Sequence, residues 1–147
     1  MKAILLKILG IITIIAILLP ACKKGNDDNS KIQLLTSQEW RIIKSESKVN
    51  SDPFTDHYPS LPPCTQDDRY KFNTNNTYVL SEGASKCNPT DPDIIVTGTW
   101  HFTQSETKIQ IDGTESAIDQ LNGSSFIISN SYYSNPDTNY YRYSFAH

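Results

Sequence analysis

The chain predicts an all-β fold: an antiparallel up-and-down meander of about eight short strands closing into a barrel, preceded by a short helical turn. Three observations carry this. From Trp40 to Phe145 apolar residues alternate with polar ones at period two, the signature of strands with one covered face. Turn-forming residues interrupt the alternation at short intervals, so successive strands join as hairpins. A meander of this kind exposes hydrogen-bonding edges, and closure removes them.

The elements follow in order. Ser30 is placed to cap a helical turn through Lys31-Ile32-Gln33-Leu34-Leu35, which offers Leu34 and Leu35 to the layer beneath. Trp40 and Ile42 then flank Arg41, Tyr70 and Phe72 alternate with Arg69 and Lys71, and Tyr78 and Leu80 alternate with Thr77 and Ser81. Trp100 and Phe102 alternate with Thr99, His101 and Thr103, and Ile109 and Ile111 with Lys108, Gln110 and Asp112. Phe126 and Ile128 lead the next strand, and Tyr141, Tyr143 and Phe145 alternate with Arg142 and Ser144 in the last. Residues 115–122 fit least well, because Ile118 and Leu121 are spaced as on a helical turn.

Turn signals stand at Thr74-Asn75-Asn76, with Asn76 left-handed, at Asp112-Gly113, at Asn122-Gly123 and at Asn135-Pro136-Asp137. Residues 49–66 hold Pro53, Pro59, Pro62 and Pro63, and residues 84–93 hold Pro89 and Pro92. Both read as loops, as do residues 130–139. Pairing Phe72 with Tyr78 and Tyr70 with Leu80 brings Cys64 opposite Lys86, and a local bulge would align it with Cys87. Outside the cytosol this even pair reads as a disulfide.

The N-terminus carries Lys2 and Lys7, then an apolar stretch over residues 8–19 broken by Gly10 and Thr13, then Pro20. The stretch is short of the ~20 residues that span hydrocarbon. The run Leu19-Pro20-Ala21-Cys22 resembles the end of a bacterial lipoprotein signal peptide. That resemblance implies cleavage after residue 21 and transfer of a diacylglyceryl group to the thiol of Cys22, so the lipid bilayer becomes a partner through the acylated cysteine. Residues 22–30, with Lys23-Lys24 and Asp27-Asp28, are polar and without periodicity, a flexible tether. Lys23 after the cysteine implies the outer membrane; Asp27-Asp28 resembles a surface-export signal and equally suits a solvated spacer. The protein is therefore expected at the outer membrane, lipid-anchored, facing the periplasm or the cell surface.

Residues 31–147 form the remaining domain. The order Leu34-Leu35, Trp40, Cys64, Asp67-Asp68, Tyr70, Phe72, Tyr78, Gly83, Lys86-Cys87 and Gly98-Thr99-Trp100 resembles the lipocalin-like domain of small bacterial lipoproteins. The resemblance implies an eight-stranded barrel closed at its base near Trp40, and it implies little about chemistry.

Loss of Lys2 and Lys7 would deepen the net charge from −3, which argues against nucleic acid as a partner. Gly-x-Ser-x-Gly and a glycine-rich phosphate loop are both missing. Asp67 and Asp68 are adjacent, so in a strand they face opposite ways and cannot form a catalytic pair. His57, His101 and His147 have no zinc-site spacing. No catalytic residue, metal or cofactor is expected. The aromatic residues Tyr70, Phe72, Tyr78, Trp100, Phe102, Tyr141 and Tyr143 either fill the barrel or line a pocket for a small apolar molecule. The function expected is non-catalytic binding of such a molecule; the alternative is an interaction module with a packed core.

Overall fold

The computed structural model describes residues 30–147. The segment expected to be a signal peptide, Cys22 and nearly all of the expected tether lie outside the described residues. Among the described residues no helix is long and apolar enough to cross a membrane.

Helix α1 spans Lys31–Thr36, and the Ser30 hydroxyl accepts from the Gln33 amide at 3.2 Å. This satisfies one of the free amides of the first turn. Leu35 is driven into the core and fully buried. The strands are β1 (Arg41–Val49), β2 (Thr55–Asp56), β3 (Arg69–Phe72), β4 (Thr77–Ser81), β5 (Ile94–Thr103), β6 (Lys108–Ile111), β7 (Thr114–Leu121), β8 (Phe126–Ser134) and β9 (Asp137–Ala146). Between β2 and β3 lie a 3-10 turn at Tyr58–Ser60 and helix α2 at Pro63–Gln66.

Every strand pairs antiparallel with its sequence neighbour from β3 to β9, β1 joins β9, and β2 adds to the free edge of β1. Closure is made at one point. Trp40, just before β1, exchanges both backbone hydrogen bonds with Tyr70 of β3, at 2.8 and 2.7 Å. The result is a closed eight-stranded barrel with β2 as an extra strand, as the alternation predicts. Because β3 and β1 share only this bridge, the rest of the β1 edge needs other cover. β2 pairs with Glu46 and Ser47 there, and the 3-10 turn and α2 pack on the same strand.

The core is aromatic. Leu35, Trp40, Phe72, Ile109 and Phe126 are fully buried, with Tyr78, Trp100, Ile128 and Phe145 nearly so. Phe72 meets Trp100 and Phe126 edge-on at 5.8 and 6.0 Å, contacts that favour the ring quadrupoles. Trp40 sits under α1 at the base, its indole donating to the Leu35 carbonyl at 2.9 Å. The His147 ring lies against it at 4.0 Å.

Several predicted details hold. Phe72 pairs with Tyr78 and Tyr70 with Leu80; Asn76 is left-handed at φ 67; Asp112 and Gly113, both at positive φ, make a two-residue hairpin. Cys64 and Cys87 form the disulfide, with Cα atoms 5.1 Å apart.

Four expectations need correction. Residues 49–66 are not wholly loop, since they contain β2 and two short helical turns. Residues 130–139 are not a loop either: β8 and β9 stay paired out to Ser134 and Asp137, turning through Asn135-Pro136. At Asn122-Gly123 the connection is a longer loop, in which the Asn122 side chain accepts from the amides of Ser124 and Ser125. The helix-like spacing of Ile118 and Leu121 comes from a bulge: the register slips between Ile118 and Gln120, so Asp119 is extra and both apolar residues turn inward.

Candidate functional site

Because side chains alternate across each strand, Tyr141, Tyr143 and Phe145 of β9 face inward while Tyr140, Arg142 and Ser144 face outward. The inward set contains the predicted lining residues. Phe72, Tyr78 and Trp100 are buried in mutual contact. Tyr70 stacks on Tyr78 and meets Phe145 edge-on. Phe102 meets Trp100 at 5.3 Å and, with Tyr143, packs against the core. Tyr141 stands apart: half-buried, it stacks on Tyr132 at 5.7 Å, with hydroxyls 3.2 Å apart.

The polar atoms of Trp100 and Tyr78 are tied down by their neighbours. The Trp100 indole donates to the carbonyls of Asn73 and Thr77. The Tyr78 hydroxyl donates to Asp112 at 2.6 Å, and Asp112 also accepts from the Thr99 amide at 2.8 Å. Burial of the ring, followed by that hydrogen bond, pushes the Tyr78 phenol up, while the Tyr78 hydrogen bond and the Thr99 amide hold the Asp112 carboxyl down. Gly98 lies in this corner, where a Cβ would stand 2.3 Å from the Asp112 carboxylate. β5 turns from β4 to β6 at this point, so the bare backbone has a geometric cause.

Asp67 accepts from the amide and hydroxyl of Ser85, both at 3.0 Å, and thereby anchors the loop that carries Cys87. Asp68 has its carboxyl pushed up by burial and by Glu82 and Asp67. No three His, Cys, Asp or Glu side chains among the described residues are grouped to hold a metal ion.

The outer face is more sharply featured. Along β1, Lys44, Glu46 and Lys48 point outward, opposite Ser144, Arg142 and Tyr140 of β9. Glu46, only 5% exposed, is gripped by Arg142 at 2.8 Å and Lys44 at 3.0 Å. The Arg142 hydrogen bond, with help from Lys44, holds the Glu46 carboxyl down at about 2. Phe54, in the turn before β2, folds over this face: the Arg142 guanidinium lies 4.4 Å from its ring centre and the Lys48 ammonium 5.1 Å. Lys48 also lies over the Tyr140 ring at 4.8 Å. Across the sheet, Lys108 pairs with Glu115 at 2.7 Å. The floor between is small, with Ala117, Ser129 and Ser131. This arrangement is a trough of about 690 Å³, with Lys48 and Arg142 on one wall and Asp119 with the Lys108–Glu115 pair on the other.

Sequence reasoning missed this face. Its residues occupy the polar positions of the alternation, where they read as solvated. The available signals were Tyr140 near the last turn and Phe54, an apolar residue stranded in a proline-rich segment whose place no alternation records.

A pH test follows from Glu46. Its carboxyl titrates near 4.5 when free and about 2 in the folded chain, so its contribution is fully present above about pH 5 and lost as pH falls towards 2. Because Arg142 and Lys44 are partly exposed, we expect of order 2 kcal/mol. Urea unfolding of Glu46→Gln should show this deficit at pH 7 and convergence with the unsubstituted protein near pH 2; parallel curves at all pH would contradict the assignment.

Compared with known proteins, the chain matches no protein-family model. Nor does any curated protein match it.

Proposed function

We propose that this protein is a lipid-anchored, non-catalytic binding module: acylated at Cys22, held at the outer membrane, and meeting its partner on the outside of a lipocalin-like barrel. The observation that carries the reading is the packed interior. Trp40, Phe72, Phe126, Leu35 and Ile109 are each less than 2% exposed, and five of the seven candidate rings, Tyr70, Phe72, Tyr78, Trp100 and Phe102, are in contact with one another. Rings that fill the core at close packing leave little room among them for a ligand. This favours an interaction module over a carrier of a small apolar molecule, the role for which Tyr70, Phe72, Tyr78, Trp100, Phe102, Tyr141 and Tyr143 were candidates.

The anchor rests on the run Leu19-Pro20-Ala21-Cys22 and the polar tether behind it. Two or more acyl chains, each worth ~0.8 kcal/mol per buried methylene, give stable attachment. Labelled palmitate should enter the full-length protein and not the Cys22→Ala variant. Equal labelling of the two would overturn the anchor.

A further inference from the structure

The outer trough contains a half-buried cation without a carboxylate partner. Lys48 is sandwiched by Phe54 and Tyr140, and among the described residues no carboxylate lies within 4.0 Å of it, although the chain as a whole is acidic. Beside it, Arg142 engages Glu46 through Nε alone. The terminal guanidinium nitrogens make no hydrogen bond with the described residues and remain available for a bidentate contact. Both cations are held against the Phe54 ring before any ligand arrives, which lowers the cost of binding.

On the opposite wall Lys108 and Glu115 neutralise each other, which leaves Asp119 as its uncompensated group. Asp119, the extra residue of the β7 bulge, is exposed at the rim and makes no hydrogen bond with the described residues. Its charge acts on Arg142 without a hydrogen bond, so its oxygens are open to hydroxyl donors, and Ser129 and Ser131 on the floor can donate or accept. Past Arg142 and Asp119 the trough continues into a second depression of about 370 Å³, so the site is elongated. Its first part alone falls within the ~300–1,000 Å³ of small-molecule sites.

Together these features select a ligand that is long, rich in hydroxyls and anionic on one side. An extended peptide would seek backbone partners, yet the floor is a sheet face whose amides and carbonyls are paired with neighbouring strands. An acyl chain would find charged walls and a serine floor. We infer that the outer face of β1, β9, β8 and β7 binds an acidic oligosaccharide, its carboxylate or sulfate on Lys48 and Arg142 and its hydroxyls on Asp119, Ser129 and Ser131. The inference rests on the reading of the barrel as a module that binds on its outside.

The test is calorimetric titration of the full-length protein in detergent with tetragalacturonate, a sulfated tetrasaccharide, the neutral methyl ester of tetragalacturonate, and tetraglutamate. Saturable binding of either anionic sugar is expected, with the preference identifying the anion. Loss of about fivefold or more in affinity is expected for Lys48→Gln and for Phe54→Ala, together with weakening as salt is raised. Both positions are at the surface, and far-ultraviolet circular dichroism checks that the variants fold. The inference is overturned if neither anionic sugar binds, if the ester binds equally, if Lys48→Gln changes nothing, or if tetraglutamate binds more tightly. In each case a ligand-free barrel interior would leave the module reading standing, so the two failures are distinguishable.

Discussion

Trp40→Ala is expected to cost about 3–5 kcal/mol, the range for removing a large aromatic from a packed core. The residue serves three roles at one place. Its side chain is fully buried between α1 and Phe126; its indole satisfies the Leu35 carbonyl; its backbone makes the two hydrogen bonds that close the barrel against Tyr70. Alanine keeps the backbone groups but leaves a cavity and an unpaired carbonyl under α1. Domains of this size are stable by only ~5–15 kcal/mol, so the variant should sit at the edge of folding. Urea unfolding followed by tryptophan fluorescence from Trp100 measures it. Trp40→Phe should recover part of the loss, because it refills the volume without the indole donor. A cost below about 1 kcal/mol for Trp40→Ala would mean that closure does not depend on this residue.

The second large effect concerns Cys64–Cys87. The bridge spans 23 residues, for which the chain-entropy model gives about 3 kcal/mol. Its position adds a local consequence. α2 covers the edge of β1 that lacks a hydrogen-bonded partner strand, and the disulfide ties α2 to the loop anchored by Asp67 and Ser85. The double variant Cys64→Ala/Cys87→Ala should therefore lose about 3 kcal/mol in urea unfolding. Amide exchange should quicken first in β2, α2 and β3, before the β6–β9 half of the barrel responds. A reducing agent should reproduce the effect in the unsubstituted protein. Unchanged unfolding midpoints in both experiments would show that the loops hold the seam without the cross-link.

The strands that build the core were legible because burial imposes period two on them. Trp40, Tyr70, Phe72, Tyr78, Trp100, Ile109, Phe126, Tyr143 and Phe145 all point inward, and each stood out in the alternation. Where burial ceases, that signal ceases as well. The outer ends of β8 and β9, with Tyr132 and Tyr133 exposed, are held by backbone pairing that no apolar pattern records. β2 is two residues long inside a proline-rich run and depends entirely on its pairing with β1. The β7 bulge reversed the expected spacing of Ile118 and Leu121, since one added residue converts a two-residue step into three.

The trough was hidden for a related reason. Lys48, Arg142 and Tyr140 sit where solvent-facing residues belong, and only the fold brings Phe54 over them. The Asp112-Gly113 turn and the Cys64–Cys87 pair, by contrast, are local or register-bound features, and these the sequence discloses readily.

Native mass spectrometry of the full-length protein, extracted from its source cells in mild detergent, reads the anchor and the barrel interior together. The expected species is a polypeptide beginning at a diacylglyceryl-modified Cys22, with no apolar molecule retained inside the barrel. A chain still beginning at Met1, or one carrying an apolar molecule in stoichiometric amount, would contradict the proposal.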